Sequence, residues 1–293
     1  MSKSVQVGKR SIGHDQPCFV VAEIGINHNG DVALAKKLIA AAATANCDAV
    51  KFQKRTVDVV YTAKELATPR PNPFGETNGD LKRGLEFSRE AYAAIDDCCR
   101  MHGLMWTASC WDEGSVEFME QFNPPFYKIA SASLTDDNLL KQHKATGRPI
   151  VLSTGMSTVA EIDHAVGVLG KDRLIILHAT STYPSAPGEL NLRCIETLRK
   201  RYDVPVGYSG HETGLATTVA AVTLGACVVE RHITMDRAMW GSDQAASVEP
   251  QGMSRLVRDI RTIEGALGDG NKRVFDSEVP VMKKLRRVGL RVE

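Results

Sequence analysis

With 293 residues, 43% of them hydrophobic and 24% charged, the chain holds enough apolar material for one large core. A net charge of +1 excludes a whole-protein field suited to nucleic acid or to an anionic membrane surface, so an anionic ligand must be met by a local cluster of basic groups. The seven cysteines, odd in number, scattered and without a C-x-x-C pair, exclude a disulfide framework and a zinc site. With no apolar signal segment at the start and no run of about 18 apolar residues anywhere, the expected location is the cytoplasm.

In chain order, residues 4–13 (SVQVGKRSIG) read as a small hairpin placed to plug one end of a larger body. The first apolar run is 19–25 (FVVAEIG), and Asp31 then caps a helical stretch, VALAKKLIAAAATA. A second run, 49–53 (AVKFQ), leads into 56–87, rich in Pro, Gly and charge, which is expected to be a functional lid or a disordered loop. Further runs follow at 104–109, 126–131 and 149–154; Thr158 with Glu161 then makes a capping box before the next helix. The last three runs are 174–180, 204–210 and 227–234.

Each run is continuous rather than alternating in polarity, as in strands of a parallel sheet covered by helices. Eight strand–helix units without a break in composition predict an α/β fold, a closed (β/α)8 TIM barrel. An open doubly wound sheet is the alternative, because period alone does not show closure. The barrel domain is expected to span 1–270, and 271–293 to be a helical extension or a truncated linker.

The position of the polar residues carries the functional signal. At or just past the C-terminal end of nearly every expected strand stands a residue ill suited to a core. These are Glu23, Lys51 with Gln53, Thr107 with Ser109, Lys128 with Ser131, Ser153, His178 with Thr180, Ser209 with His211, and Glu230 with His232. Residues two apart on a strand share a face, and in this fold that rim holds the active site. Individually, Thr107, Ser109 and Thr180 could bond nearby backbone, and Glu23 could serve only as an ion-pair partner for Lys51. His211 and His232, on neighbouring strands about 4.8 Å apart, are the candidate metal ligands. Two imidazoles with open positions suit Mn²⁺, with Mg²⁺ or Co²⁺ as alternatives. Lys51 and Lys128 are the candidate anion grips, and either could instead be a Schiff-base nucleophile.

The motifs AEIGINHNG (22–30), KFQK (51–54), KIAS (128–131), STGM (153–156), ATSTYP (179–184), GYSGHETG (207–214), VVERHITMDR (228–237) and GSDQAASVEP (241–250) together resemble those of the sialic acid synthases. The stretch ETNGDLKRGLEFS (76–88) is similar to that of the animal-type enzymes. Eight ordered motifs are far more specific than any one alone.

The resemblance implies a metal-dependent transferase that condenses phosphoenolpyruvate with N-acetylmannosamine or its 6-phosphate. The products would be a nonulosonic acid and phosphate. Carried over by position, it implies His211 and His232 as metal ligands. Lys51, Thr107, Lys128, Ser131, Ser153 and Ser209 would contact phosphoenolpyruvate, and Glu23, Gln53, Tyr183 and Asp243 would face the sugar or the reacting atoms. Glu230, on the same rim, is assigned to substrate binding. Glu23, Lys51 and Lys128 are the expected catalytic groups. The chain departs from the pattern at Ser133, where the family is acidic, and at Gln244, where it carries histidine. Family members typically continue into an antifreeze-like domain that completes the partner's site in a homodimer. None is expected here, so a separate antifreeze-like protein could supply it. Competing readings are a Schiff-base aldolase on the same barrel and a non-catalytic sugar-binding relative.

Overall fold

The hairpin expected at 4–13 forms as two antiparallel strands, β1 (Ser4–Val7) and β2 (Arg10–Gly13), in a computed structural model that describes residues 3–289. The next two strands are β3 (Phe19–Gly25) and β4 (Ala49–Lys54). The excursion that follows adds a second small hairpin, β5 (Pro69–Asn72) with β6 (Gly75–Thr77). The remaining strands are β7 (Met105–Cys110), β8 (Tyr127–Ile129), β9 (Ile150–Ser153), β10 (Leu174–Ala179), β11 (Val206–Gly210) and β12 (Val228–His232).

The eight long-range strands, β3, β4 and β7 to β12, pair in parallel and in chain order, and β12 closes on β3. The sheet is therefore a closed barrel, not an open doubly wound sheet. The run at 126–131 is shorter as a strand than expected, because Ser131 already belongs to a 3₁₀ turn, Ser131–Ser133.

The strands bury both faces, which explains their unbroken hydrophobicity. Outward residues such as Val20, Ile24, Val50, Phe52, Trp106 and Leu152 pack under the surrounding helices, among them Val32–Thr44 and Arg89–Met101. Inward residues of the N-terminal half (Phe19, Val21, Ala49, Phe126, Val151, Ile175, Leu177 and Val228) form a second cluster with Val5, Val7 and Ile12 of the hairpin. The hairpin thus plugs the barrel bottom, and each of its three buried aliphatic side chains contributes roughly 1.5–3 kcal/mol by burial. Above this layer the inward positions change from apolar to polar, so the cavity opens at the C-terminal end alone.

The excursion 56–87 is folded rather than disordered. Short helices Val57–Val60, Ala63–Leu66 and Asn78–Gly84 carry capping boxes at Thr62 with Glu65 and at Thr77 with Asp80. Asp112 anchors its start, accepting from the Thr56 amide at 2.7 Å and hydroxyl at 2.9 Å. Phe74 packs its hairpin against Gly30 of the turn after β3 and against the excursion's own Gly84: a Cβ on Gly84 would stand 2.2 Å from the Phe74 ring, so only glycine fits.

At the other end, the helix Pro250–Leu267 buries Met253, Leu256, Val257 and Ile260. Beyond Ile260 no described residue is fully buried, and the helix Val279–Leu285 has no buried position. The last four residues of the expected 271–293 extension lie outside the described residues.

Candidate active site

Strand register assembles the site. Glu23 pairs with Lys51 across β3 and β4, His232 pairs with Glu23 across the closing seam, Ser109 pairs with Lys128, and Ser209 pairs with Glu230. All have the inward parity of the apolar residues below them, so their side chains meet over the core.

Four buried charges stand at the centre. The Lys51 ammonium lies 2.9 Å from Glu23 and 3.5 Å from Glu230, and donates to the Ser109 hydroxyl at 3.0 Å. The Lys128 ammonium lies 3.4 Å from the same Glu230 oxygen, which also accepts from Ser209 at 3.1 Å. Gln53 donates to Glu23 at 3.4 Å and is itself held by Arg55, whose guanidinium lies over the Trp111 ring.

Burial and pairing divide the titrations. Burial raises the Glu23 carboxyl to about 7, against the pull of Lys51 and with repulsion from Glu230 added. Burial acts on Glu230 in the same direction, but Lys128 and Lys51 outweigh it and bring it down to about 2. Burial lowers Lys128 to about 8, while Glu23 and Glu230 overcome burial at Lys51 and keep it above the ordinary lysine value. At neutral pH Glu23 is therefore about half protonated and the quartet carries between zero and one net positive charge, with a proton on Glu23 ready to move.

Beside the quartet the two imidazoles lie with ring centres 5.6 Å apart. Nδ1 of His211 bonds the Thr180 carbonyl at 2.7 Å, which leaves Nε2 as a free donor atom toward the cavity. Nδ1 of His232 has no hydrogen-bond partner, and the nearest carboxylate, Asp243, stands 3.8 Å away. Burial lowers both histidines, His211 to about 4, so both are neutral at pH 7, the form that binds a metal. Among the described residues no group of three or more His, Cys, Asp or Glu is arranged to hold a metal ion. The donor set fits an ion that keeps its other positions for water and substrate.

A cavity of about 230 Å³ collects these groups. Of the residues expected from sequence, Glu23, Lys51, Gln53, Lys128, Ser131, Ser153, Tyr183, Ser209, His211, Glu230 and His232 all line it. The Ser153 hydroxyl is buried there without a partner, and the Tyr183 ring packs 4.1 Å from that of His211. Thr107 is not in the wall: it sits one layer lower and donates to the Phe126 carbonyl at 2.6 Å. Asp243 stands behind His232, outside the cavity lining.

Two rim residues face the other way. His178 bonds the Leu190 carbonyl at 2.7 Å and the Thr180 hydroxyl bonds Glu189 at 3.0 Å, because Ile175 and Leu177 take the inward parity on β10. Gln244, an expected departure from the motif, is buried and ties the loop after β12 to Thr234 and to the Asn27 and Trp240 carbonyls. Ser133 is buried in the 3₁₀ turn. Ser109, expected on the rim beside Thr107 but given no substrate contact from sequence, lines the cavity and accepts from Lys51. Sequence reasoning missed Trp111, Met156 and Ser181, loop residues of the cavity wall for which strand parity gives no signal.

The model of the NeuB family matches residues 38–272. The chain belongs to the NeuB family. This NeuB-family chain is 41% identical to N-acetylneuraminate-9-phosphate synthase of Mus musculus, over 94% of its own length and 78% of the relative's. It is 35% identical to N,N'-diacetyllegionaminic acid synthase of Legionella pneumophila, over 96% and 82%. Among solved structures it resembles N-acetylneuraminic acid (sialic acid) synthetase from Leptospira borgpetersenii, crystallised with citrate. That match has a TM-score of 0.84 and 30% identity, covering 98% of this chain and 99% of the other. The family expected from the motifs is thus the family found.

Proposed function

We propose that this NeuB-family chain condenses phosphoenolpyruvate with an N-acetylmannosamine-type aldehyde sugar, forming a nonulosonic acid and releasing phosphate. The observation that carries this reading is the buried quartet of Lys51, Lys128, Glu23 and Glu230 set directly beside the imidazole pair. In this reading Lys51 and Lys128 hold the carboxylate and phosphate of phosphoenolpyruvate, with hydroxyls from Ser131, Ser153 and Ser209 around them. The quartet alone carries at most about one positive charge, too little to balance a trianion. The missing positive charge is the role assigned to a divalent cation, Mn²⁺ or else Mg²⁺ or Co²⁺, between His211 and His232. When bound, such an ion supplies Lewis-acid polarisation of the sugar aldehyde.

The new bond joins C3 of phosphoenolpyruvate to the aldehyde carbon. Water adds at C2, and the bond from C2 to the phosphate oxygen breaks. Glu23, poised between its two protonation states, gives a proton to the aldehyde oxygen and later takes one from the adding water. Gln53 and Tyr183 face the sugar side, while Thr107 bonds the Phe126 carbonyl just before β8 and Asp243 places its charge behind the His232 ring. A homodimer, or a separate antifreeze-like protein, belongs to the same reading as a partner for the sugar side. So does a reducing cytoplasmic setting, in line with seven cysteines that are all free. No helix among the described residues is long and apolar enough to cross a membrane.

The test is phosphate release and 2-keto acid formation from phosphoenolpyruvate and a sugar panel, before and after chelation and with Mn²⁺ restored. Coupled appearance of both products, lost on chelation and regained with metal, is expected. Product formation indifferent to the chelator would refute the metal assignment, and phosphate release without keto acid would refute the condensation. One feature favours a second chemistry: the lowered Lys128 ammonium could form a Schiff base. Borohydride trapping of pyruvate on Lys128 would establish that aldolase reading instead.

A further inference from the structure

Arg55, directly after β4, is buried behind the sugar side of the cavity and takes no part in the proposed chemistry. Three contacts hold its guanidinium: the Trp111 ring at 4.8 Å, Glu86 at 3.6 Å and the side-chain oxygen of Gln53. Glu86 already meets Lys54 at 3.1 Å, so two cations share one carboxylate. Nε of Arg55 is buried without a partner. A guanidinium so incompletely matched stabilises a fold poorly. What it does control is Gln53.

A glutamine amide can turn either end to a neighbour, but a guanidinium only donates. The Gln53 oxygen therefore faces Arg55, and its NH2 group faces Glu23, to which it donates at 3.4 Å. The surroundings of Gly25 show where that nitrogen lies. A Cβ built on Gly25 would stand 3.0 Å from the Glu23 carboxylate, 3.3 Å from the Gln53 nitrogen and 3.3 Å from the His232 ring. The amide N–H thus sits where the carboxylate and the imidazole pair meet. The main chain of Gln53 is held separately, its carbonyl accepting from the Tyr92 hydroxyl at 2.8 Å, so Arg55 governs the amide and not the strand. Trp111, itself in the cavity wall, supports the guanidinium by a cation–π contact.

We propose that Arg55 is a positioning residue for the condensation: by holding the oxygen of the Gln53 amide, it makes the sugar side of the cavity present an N–H donor, suited to a carbonyl or hydroxyl oxygen of the sugar. The assignment rests on the synthase reading of the cavity. Without Arg55 the amide turns freely, and in half of its orientations it sets an acceptor against the sugar oxygen and against Glu23.

The test compares wild type, Arg55→Met, Gln53→Ala and the double variant of the full chain. The substrates are phosphoenolpyruvate and N-acetylmannosamine or its 6-phosphate, whichever turns over faster. Methionine keeps an apolar stem over Trp111 and removes the donor, while Glu86 keeps Lys54. Arg55→Met is expected to raise the KM for the sugar about three- to tenfold, as loss of one hydrogen bond does, and to leave that for phosphoenolpyruvate unchanged within about twofold. The double variant should be no worse than Gln53→Ala, because Arg55 acts through that amide alone. Arg55→Lys, which can donate, should recover part of the loss. Effects that multiply in the double variant, or an equal rise for both substrates, overturn the proposal. Hydrogen exchange of the Gln53 side-chain amide, assigned in heteronuclear spectra by its absence from Gln53→Ala, is independent of turnover. It should be at least about tenfold faster in Arg55→Met, and an unchanged rate overturns the proposal. If neither sugar turns over, the synthase reading fails and the exchange rate alone decides the role of Arg55. If Arg55→Met does not fold, Arg55→Ser is judged by the same criteria.

Discussion

Glu23→Gln tests the electrostatic account of the site in a single substitution. The Glu23 carboxyl titrates near 7 in the folded protein, against 4.5 as its ordinary value, chiefly because burial penalises its charge. Between those two pH values the folded state keeps a proton that the unfolded chain has lost. Stability contributed by this group is therefore complete below about 4.5, falls as pH rises, and has been lost once pH passes 7. At about 1.4 kcal/mol per pH unit the span amounts to roughly 3 kcal/mol. A glutamine has no such titration. The stability of Glu23→Gln relative to wild type, measured by urea unfolding of the metal-free protein, should thus rise by roughly 2–2.5 kcal/mol between pH 5 and pH 7.5. The same variant should lose most of its kcat, since the proton donor has gone. A difference that stays flat within about 1 kcal/mol, or a variant with wild-type turnover, would refute the reasoning.

His211→Ala and His232→Ala should each abolish metal-dependent turnover and weaken Mn²⁺ binding, followed by electron paramagnetic resonance, while circular dichroism shows the barrel intact. Lys128→Ala should raise the KM for phosphoenolpyruvate far more than that for the sugar; the reverse pattern in initial-rate kinetics would overturn the division of the site. Arg231→Met leaves Glu212 buried without its guanidinium partner at 3.1 Å, and should lower stability by about 3–5 kcal/mol in chemical denaturation. Gly84→Ala forces a methyl group into the Phe74 ring and should cost about 1–3 kcal/mol, read as a lower Tm with increased proteolysis within 56–87.

Much of this molecule is local information. The eight apolar runs, the hairpin at 4–13 and the Thr158 capping box could be read because strand period, turn chemistry and helix capping depend on neighbours in sequence. The site residues could be read for a related reason: lysine, glutamate and histidine are costly inside a barrel strand, so their presence at strand ends marks a purpose. The motifs then supplied the family.

Tertiary structure decided what depends on which strands meet and which face turns inward. A run buried on both faces carries no parity signal, so His178 could not be told from an inward residue until Leu177 was seen to point into the core. Register alone made Glu230 the shared partner of Lys51, Lys128 and Ser209, and so set the division of pKa between Glu23 and Glu230. The excursion 56–87 looked shapeless because it is anchored by Asp112 and by the seating of Phe74 against Gly30, residues that lie outside it in sequence.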